Sequence, residues 1–138
     1  MNPTIALILG LLMRWIHITS VVVLIGGVFY AWRSREQVSA AFRVMIWPAI
    51  VTLVGSGLYN FLTKPAYPPH YHMWFGIKML FVLHILAILA LLARGTAPEA
   101  KQHRWMASIG MSAVIVIAIS AYLRWMSLSP VVTPVTIP

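Results

Sequence analysis

The chain contains four apolar segments, each long enough to cross a lipid bilayer, and this feature decides what it can fold into. They cover about residues 5–32, 44–63, 71–93 and 105–124. A transmembrane helix needs roughly 20 predominantly apolar residues. Only 9% of the residues are charged, whereas soluble domains carry about 25% charged residues. Because lipid offers no partner to backbone amides, such spans must be helical. The pattern predicts one all-α transmembrane domain over residues 1–138.

The basic residues indicate how the spans are oriented. Six of the ten Lys and Arg residues fall in two short connections, 33–43 and 94–104, and the connection on the other side holds only Lys64. Lys and Arg accumulate on the cytoplasmic side of membrane proteins. We therefore predict an integral membrane up-down four-helix bundle in the inner (cytoplasmic) membrane, with both termini outside. Six of the ten cations behind the formal charge of +8 are divided between two short loops and do not line one face, which argues against nucleic acid as a partner.

Five ionisable side chains interrupt the predicted spans, namely Arg14, His17, Lys78, His84 and Arg124. Such residues are costly in lipid and usually functional. His17 and Lys78 each lie sixteen residues from the basic end of their span, which places both at roughly 24 Å along a helix. His84 lies ten residues from that end, at roughly 15 Å. We expect a polar layer in the outer half of the bundle, with one imidazole deeper in the membrane.

The second span adds a polar stripe at the level of this layer. Tyr59 lies sixteen residues from the basic end of the span, and Thr52 and Ser56 precede it at helical spacing. Gly55 and Gly57 beside the stripe allow a helix or a flat ligand to approach closely. We expect the stripe to face the bundle interior.

The predicted polar layer is rich in positive charge and contains no acid. The two carboxylates of the chain lie in the basic loops, so a proton or cation pathway built on Asp and Glu is disfavoured. A b-type haem fits the layer, because a neutral imidazole binds iron and propionates pair with Arg or Lys. We predict that His17 binds the haem iron. His84 is a second ligand if helix tilt closes the height difference of roughly 9 Å between the two histidines. Arg14 and Arg124 are the candidate propionate ligands.

Simpler interpretations of the same residues stay open. Arg14, Lys78 and Arg124 can reach the membrane interface by snorkelling. A buried imidazole can be held by a core hydrogen bond with no ligand at all. Ser and Thr inside a span usually bond to their own backbone.

Residues of the first three spans resemble the HemJ-type protoporphyrinogen oxidases. The resemblance covers about residues 14–94 and consists of Trp15-Ile16-His17 with Gly26-Gly27-Val28-Phe29-Tyr30 and Arg33, Pro48 followed by Gly55, and Trp74 with Lys78. It implies a b haem bound by His17, a functional role for Lys78, and oxidation of protoporphyrinogen IX to protoporphyrin IX. We add Tyr59 as a second candidate catalytic residue.

The loop before the third span suggests a rival function. The CopD-like copper-resistance proteins share a similar Trp-x-His and Gly-Gly first helix, and His70, His72 and Met73 are ligand types that suit copper. The alternative is thus a copper-handling protein of the outer side, although an aromatic interface belt explains the same loop. A third hypothesis is a cytochrome that carries electrons from quinol. Under these hypotheses the expected partners are the lipid bilayer and a porphyrin or quinone substrate. Whether the protein forms a homodimer stays open.

Overall fold

The computed structural model describes residues 2–63, 67–96 and 98–128, which form four α-helices. They are α1 (Pro3–Ser34), α2 (Ala40–Leu62), α3 (Tyr71–Ala93) and α4 (Glu99–Leu128). Each helix is long and apolar enough to cross a membrane. The prediction of an all-α chain with four apolar helices is confirmed. Lys64, in the predicted outer loop, lies outside the described residues, as do residues 129–138.

Local signals set several of the helix ends. The Asn2 side chain accepts a hydrogen bond from a first-turn amide of α1, and Ser39 accepts one from the amide of Phe42 at the start of α2. Arg35 follows α1 with a φ of 55°, and Gly95 follows α3 with a φ of 68°. Left-handed residues of this kind commonly end helices.

Contacts along α1 and α2 show that these two helices run in opposite directions. His17 on α1 lies beside Ser56 on α2, and Gly27, further along α1, lies beside Phe42, near the start of α2. A Cβ atom at Gly27 would fall 2.1 Å from the Phe42 ring. Any larger residue at Gly27 therefore requires the Phe42 ring to move.

Helices α3 and α4 pair in the same manner. Trp74 contacts Tyr122 with ring centroids 5.2 Å apart, and His84, further along α3, bonds to Ser108, earlier on α4. Contacts between α1 and α4, and between α2 and α3, join the two pairs. Each helix therefore packs against two neighbours, and α1 lies across the bundle from α3.

Buried apolar side chains form two clusters at different heights. We call the end of the bundle that carries residues 33–43 and 94–104 the basic end. The first cluster lies toward this end. Its members are Leu24, Val28, Ala31, Val38, Ile46, Ile85, Ile88, Leu89, Leu92, Met106, Ile109 and Ala113. The second lies at the far end, around Tyr71, Ile119 and Leu123. In the described part of α1, no apolar side chain before Leu24 is buried. The stretch of α1 that carries His17 therefore contributes no buried apolar side chain to either cluster among the described residues.

The outside of the bundle is apolar on every helix. Leu7, Val44, Leu80 and Val114, one from each helix, are all at least 66% exposed. Contiguous apolar surface of this extent is rare on soluble monomers. The surface is compatible with a lipid environment.

Candidate functional site

His17 is half-buried where α1 packs against α2. Its Nδ1 atom lies 3.2 Å from the carbonyl oxygen of Leu53 and 3.2 Å from Oγ of Ser56. Both partners belong to α2 and are separated by one helical turn. The ring is therefore held by the neighbouring helix, as a residue of a bundle interior would be.

The two partners decide which ring nitrogen carries the proton. The Leu53 carbonyl can only accept a hydrogen bond, and the Ser56 hydroxyl already donates to the carbonyl of Thr52 at 2.5 Å. Nδ1 must then be the donor, which leaves the lone pair of the neutral ring on Nε2. Within the described residues, no hydrogen bond involves Nε2. Metal-ligating histidines usually show this arrangement, with one ring nitrogen donating to a carbonyl and the other on the metal.

Gly57 makes room for the His17 ring. A Cβ atom at Gly57 would lie 3.1 Å from Cε1 and 3.4 Å from Nδ1 of the imidazole. The same atom at Gly55 would meet nothing within 4 Å. The sequence suggested that both glycines allow a close approach. Only Gly57 has a close neighbour, and that neighbour is the ring of His17, the candidate ligand.

A second polar contact joins the same two helices one turn away. Ser20 is 7% exposed, and its hydroxyl lies 2.8 Å from Oγ1 of Thr52. Thr52 also bonds to the carbonyl of Pro48 at 3.0 Å, and Ser56 bonds to its own helix as described above. The expectation that both residues bond to their own backbone is confirmed. The sequence did not reveal that both also bond to α1.

Lys78 lies on α3 and is half-buried. Its Nζ atom lies 6.0 Å from the centroid of the Phe75 ring, at the limit of a cation–π contact. The equal depth counted for His17 and Lys78 along their helices stays a prediction.

His84 belongs to a different part of the bundle. It is exposed, and its Nε2 atom lies 2.7 Å from Oγ of Ser108 on α4. His17, by contrast, is bonded to α2. The structure therefore does not bring the two imidazoles together. Sequence reasoning missed Ser108, because the distances of the two residues from their connection match only when α4 begins at Glu99 and not near Trp105.

Three further predicted site residues have no described contact with His17. Arg14 and Arg124 are exposed, and Tyr59 is half-buried on α2. The carbonyl of Tyr59 accepts a hydrogen bond from the Thr63 hydroxyl at 2.8 Å. Their roles toward a ligand stay predictions.

The predicted copper ligands lie at the start of α3. His70 is exposed with a φ of 62°, and His72 is exposed, with its ring centroid 5.1 Å from that of Tyr67 and 6.1 Å from that of Tyr71. No group of three or more His, Cys, Asp or Glu residues in the described part of the chain could hold a metal ion. The aromatic neighbours of His72 are those of an interface belt.

The chain matches no protein-family model, no curated protein and no solved structure. A function for this chain therefore depends on the geometry around His17 and on the resemblance of its first three spans.

Proposed function

We propose that this protein is an up-down four-helix bundle of the inner (cytoplasmic) membrane, with both ends outside, that binds one b-type haem through His17 and acts as an oxidoreductase or electron carrier. The observation that supports this most is the hydrogen bond from Nδ1 of His17 to α2, because it leaves Nε2 as a free ligand atom. When bound, a haem supplies one-electron redox chemistry at its iron.

The surroundings of His17 also fit a haem. The residue lies on the part of α1 before Leu24, which contributes no buried apolar side chain among the described residues. A flat apolar macrocycle can supply the apolar contacts that this stretch of α1 does not make for itself. The polar pair between Ser20 and Thr52 and the space left by Gly57 hold α1 against α2, so that the imidazole is positioned before any ligand arrives.

The charges around the site suit the propionates of a haem. Lys78 is predicted to lie at the depth of His17, and Arg14 precedes His17 by one turn on the same helix. The two carboxylates of the chain, Glu36 and Glu99, are both at the basic end. An anionic ligand is therefore needed to balance the cations near His17, and charge-assisted bonds to carboxylates are strong.

We propose His17 as the only protein ligand of the iron. His84 is engaged with Ser108 on the opposite pair of helices. Electron carriers such as the cytochromes c use two axial ligands. Single ligation thus favours an oxidoreductase over a pure electron carrier, and the resemblance names protoporphyrinogen IX as the substrate.

A complementation assay tests the enzymatic part of the proposal. Cells that lack every other protoporphyrinogen oxidase are expected to grow when they express this protein. Lys78→Met is expected to keep haem but to lower the oxidation rate about 10- to 100-fold, because one bond to a charged group contributes roughly 1.5–3 kcal/mol.

Lys78→Arg is the matched control, since it preserves the charge and is expected to retain most of the rate. Equal rates for the wild type and Lys78→Met would refute the role of Lys78. Haem uptake without growth or oxidation would leave the electron carrier as the function.

A further inference from the structure

The two basic loops of the chain meet as one surface. The Gln37 side chain donates a hydrogen bond to the carboxylate of Glu99, which ties the connection after α1 to the start of α4. Arg43 on α2 extends over Gly95, so that its Nη1 atom lies 2.7 Å from the position of a Cβ there. Residues distant in sequence are therefore side by side at the basic end.

Aromatic rings lie directly beneath this surface. The Trp32 indole stacks on the His103 ring, with centroids 5.7 Å apart and planes at 20°. Trp105, on α4, packs against the first apolar cluster. Tryptophan at this position, between apolar helix and charged loop, is typical of the headgroup level of a membrane.

The basic end carries a large excess of positive charge. Its six cations and two carboxylates give a net charge of +4, and the cations are Arg33, Arg35, Arg43, Arg94, Lys101 and Arg104. One of the two carboxylates, Glu99, already accepts the hydrogen bond from Gln37. Five of the cations are exposed, and Arg43 is half-buried.

We propose that the basic end binds the headgroup of an anionic phospholipid, with its phosphate against Arg43. A guanidinium held over a glycine offers a planar set of donors that matches phosphate oxygens. The position of the surface selects a lipid as the source of that phosphate, because it lies where the apolar helices end. This inference depends on membrane insertion and is independent of haem.

Lipid titration of the purified full-length protein in detergent tests the site. Phosphatidylglycerol and phosphatidylcholine serve as probes, and bound lipids are counted by native mass spectrometry. We expect at least tenfold tighter binding of phosphatidylglycerol. Arg43→Gln is expected to weaken that binding about fivefold, the contribution of one basic residue near an anionic surface. Adding Arg94→Gln and Arg104→Gln is expected to bring the loss to about a hundredfold.

Matched variants distinguish a specific lipid-binding site from a general effect of the protein's positive charge. Lys64→Gln removes the same charge in the predicted outer loop, and its affinity for phosphatidylglycerol is expected to stay within about twofold of the wild type. Arg43→Lys retains the charge and is expected to lose less than Arg43→Gln. Circular dichroism checks that each variant keeps its helix content. If Arg43→Gln does not fold, the salt dependence of the wild type serves instead, and its affinity must fall between about 0.05 and 0.5 M NaCl.

Three results would overturn the proposal. They are equal affinity for the two lipids, equal losses in Arg43→Gln and Lys64→Gln, and displacement of the lipid by an equal concentration of inorganic phosphate. Flotation with vesicles of both lipids distinguishes a failure of this site from a failure of membrane insertion. A protein that floats with neither vesicle refutes insertion itself, whereas one that floats with both but shows no lipid preference refutes only the headgroup site.

Discussion

Replacing Gly57 by alanine tests whether α2 positions the His17 ring. The new Cβ would lie 3.1 Å from Cε1, whereas carbon atoms in contact prefer about 3.5–4.0 Å. The ring must therefore retreat by about 0.5 Å. Since Nδ1 starts 3.2 Å from the Leu53 oxygen, the retreat stretches this bond to about 3.7 Å, beyond hydrogen-bonding distance.

The expected changes in the free energy of unfolding differ between Gly57→Ala and its matched control, Gly55→Ala. Alanine gains roughly 0.8–1 kcal/mol over glycine inside a helix at either position. Crowding at Gly57 costs about 1–3 kcal/mol, while a Cβ at Gly55 meets nothing within 4 Å. We expect Gly55→Ala to be neutral or stabilising and Gly57→Ala to be less stable than Gly55→Ala by about 1–3 kcal/mol.

Two assays measure these effects. Denaturant unfolding in detergent gives the free energies of unfolding, and haemin titration followed at the Soret band gives the haem affinity. Loss of the carbonyl partner of a ligating histidine typically weakens metal binding about 10- to 100-fold. We expect a loss of that size in Gly57→Ala and no change in Gly55→Ala. If the two variants bind haemin equally well, the reasoning from the Gly57 contact is refuted.

Two other substitutions test the packing and the ligand assignment. Gly27→Ala is expected to lower the free energy of unfolding by about 2 kcal/mol, because its Cβ would overlap the Phe42 ring, whereas Gly26→Ala meets nothing within 4 Å. Equal unfolding midpoints for these two variants would contradict the packing of α1 on α2. His84→Ala is expected to cost about 0.6 kcal/mol, the typical worth of a side-chain bond between membrane helices, and to leave the haem spectrum unchanged. Loss of the Soret band in His84→Ala would instead identify it as a ligand.

The helices were predictable because long apolar runs leave the chain few choices. The third predicted span coincides with α3 over residues 71–93, and the others are displaced at their ends. The fourth helix begins at Glu99 and not near Trp105, because hydropathy marks the lipid boundary while polar residues continue the helix beyond it. Helix ends are set by local hydrogen bonds, such as the one that Ser39 accepts from the amide of Phe42. A hydropathy pattern does not report these bonds.

Counting residues predicts how far along its helix a side chain lies but not the direction in which it points. The count from the basic loops predicts one depth for His17 and Lys78. The rotation of each helix decides which neighbour a side chain meets, and helices that are apolar all round carry no periodic signal for it. The sequence therefore could not show that His84 bonds to Ser108 or that Gly57, and not Gly55, faces the imidazole.

The optical spectrum of the purified protein with added haemin tests the central claim most directly. We predict a Soret band that saturates at one haem per chain in the wild type and is lost in His17→Ala, with the helix content of both unchanged by circular dichroism. A colourless wild-type protein that takes up no haemin, or a His17→Ala variant with an unaltered Soret band, would contradict the assignment of His17 as the haem ligand.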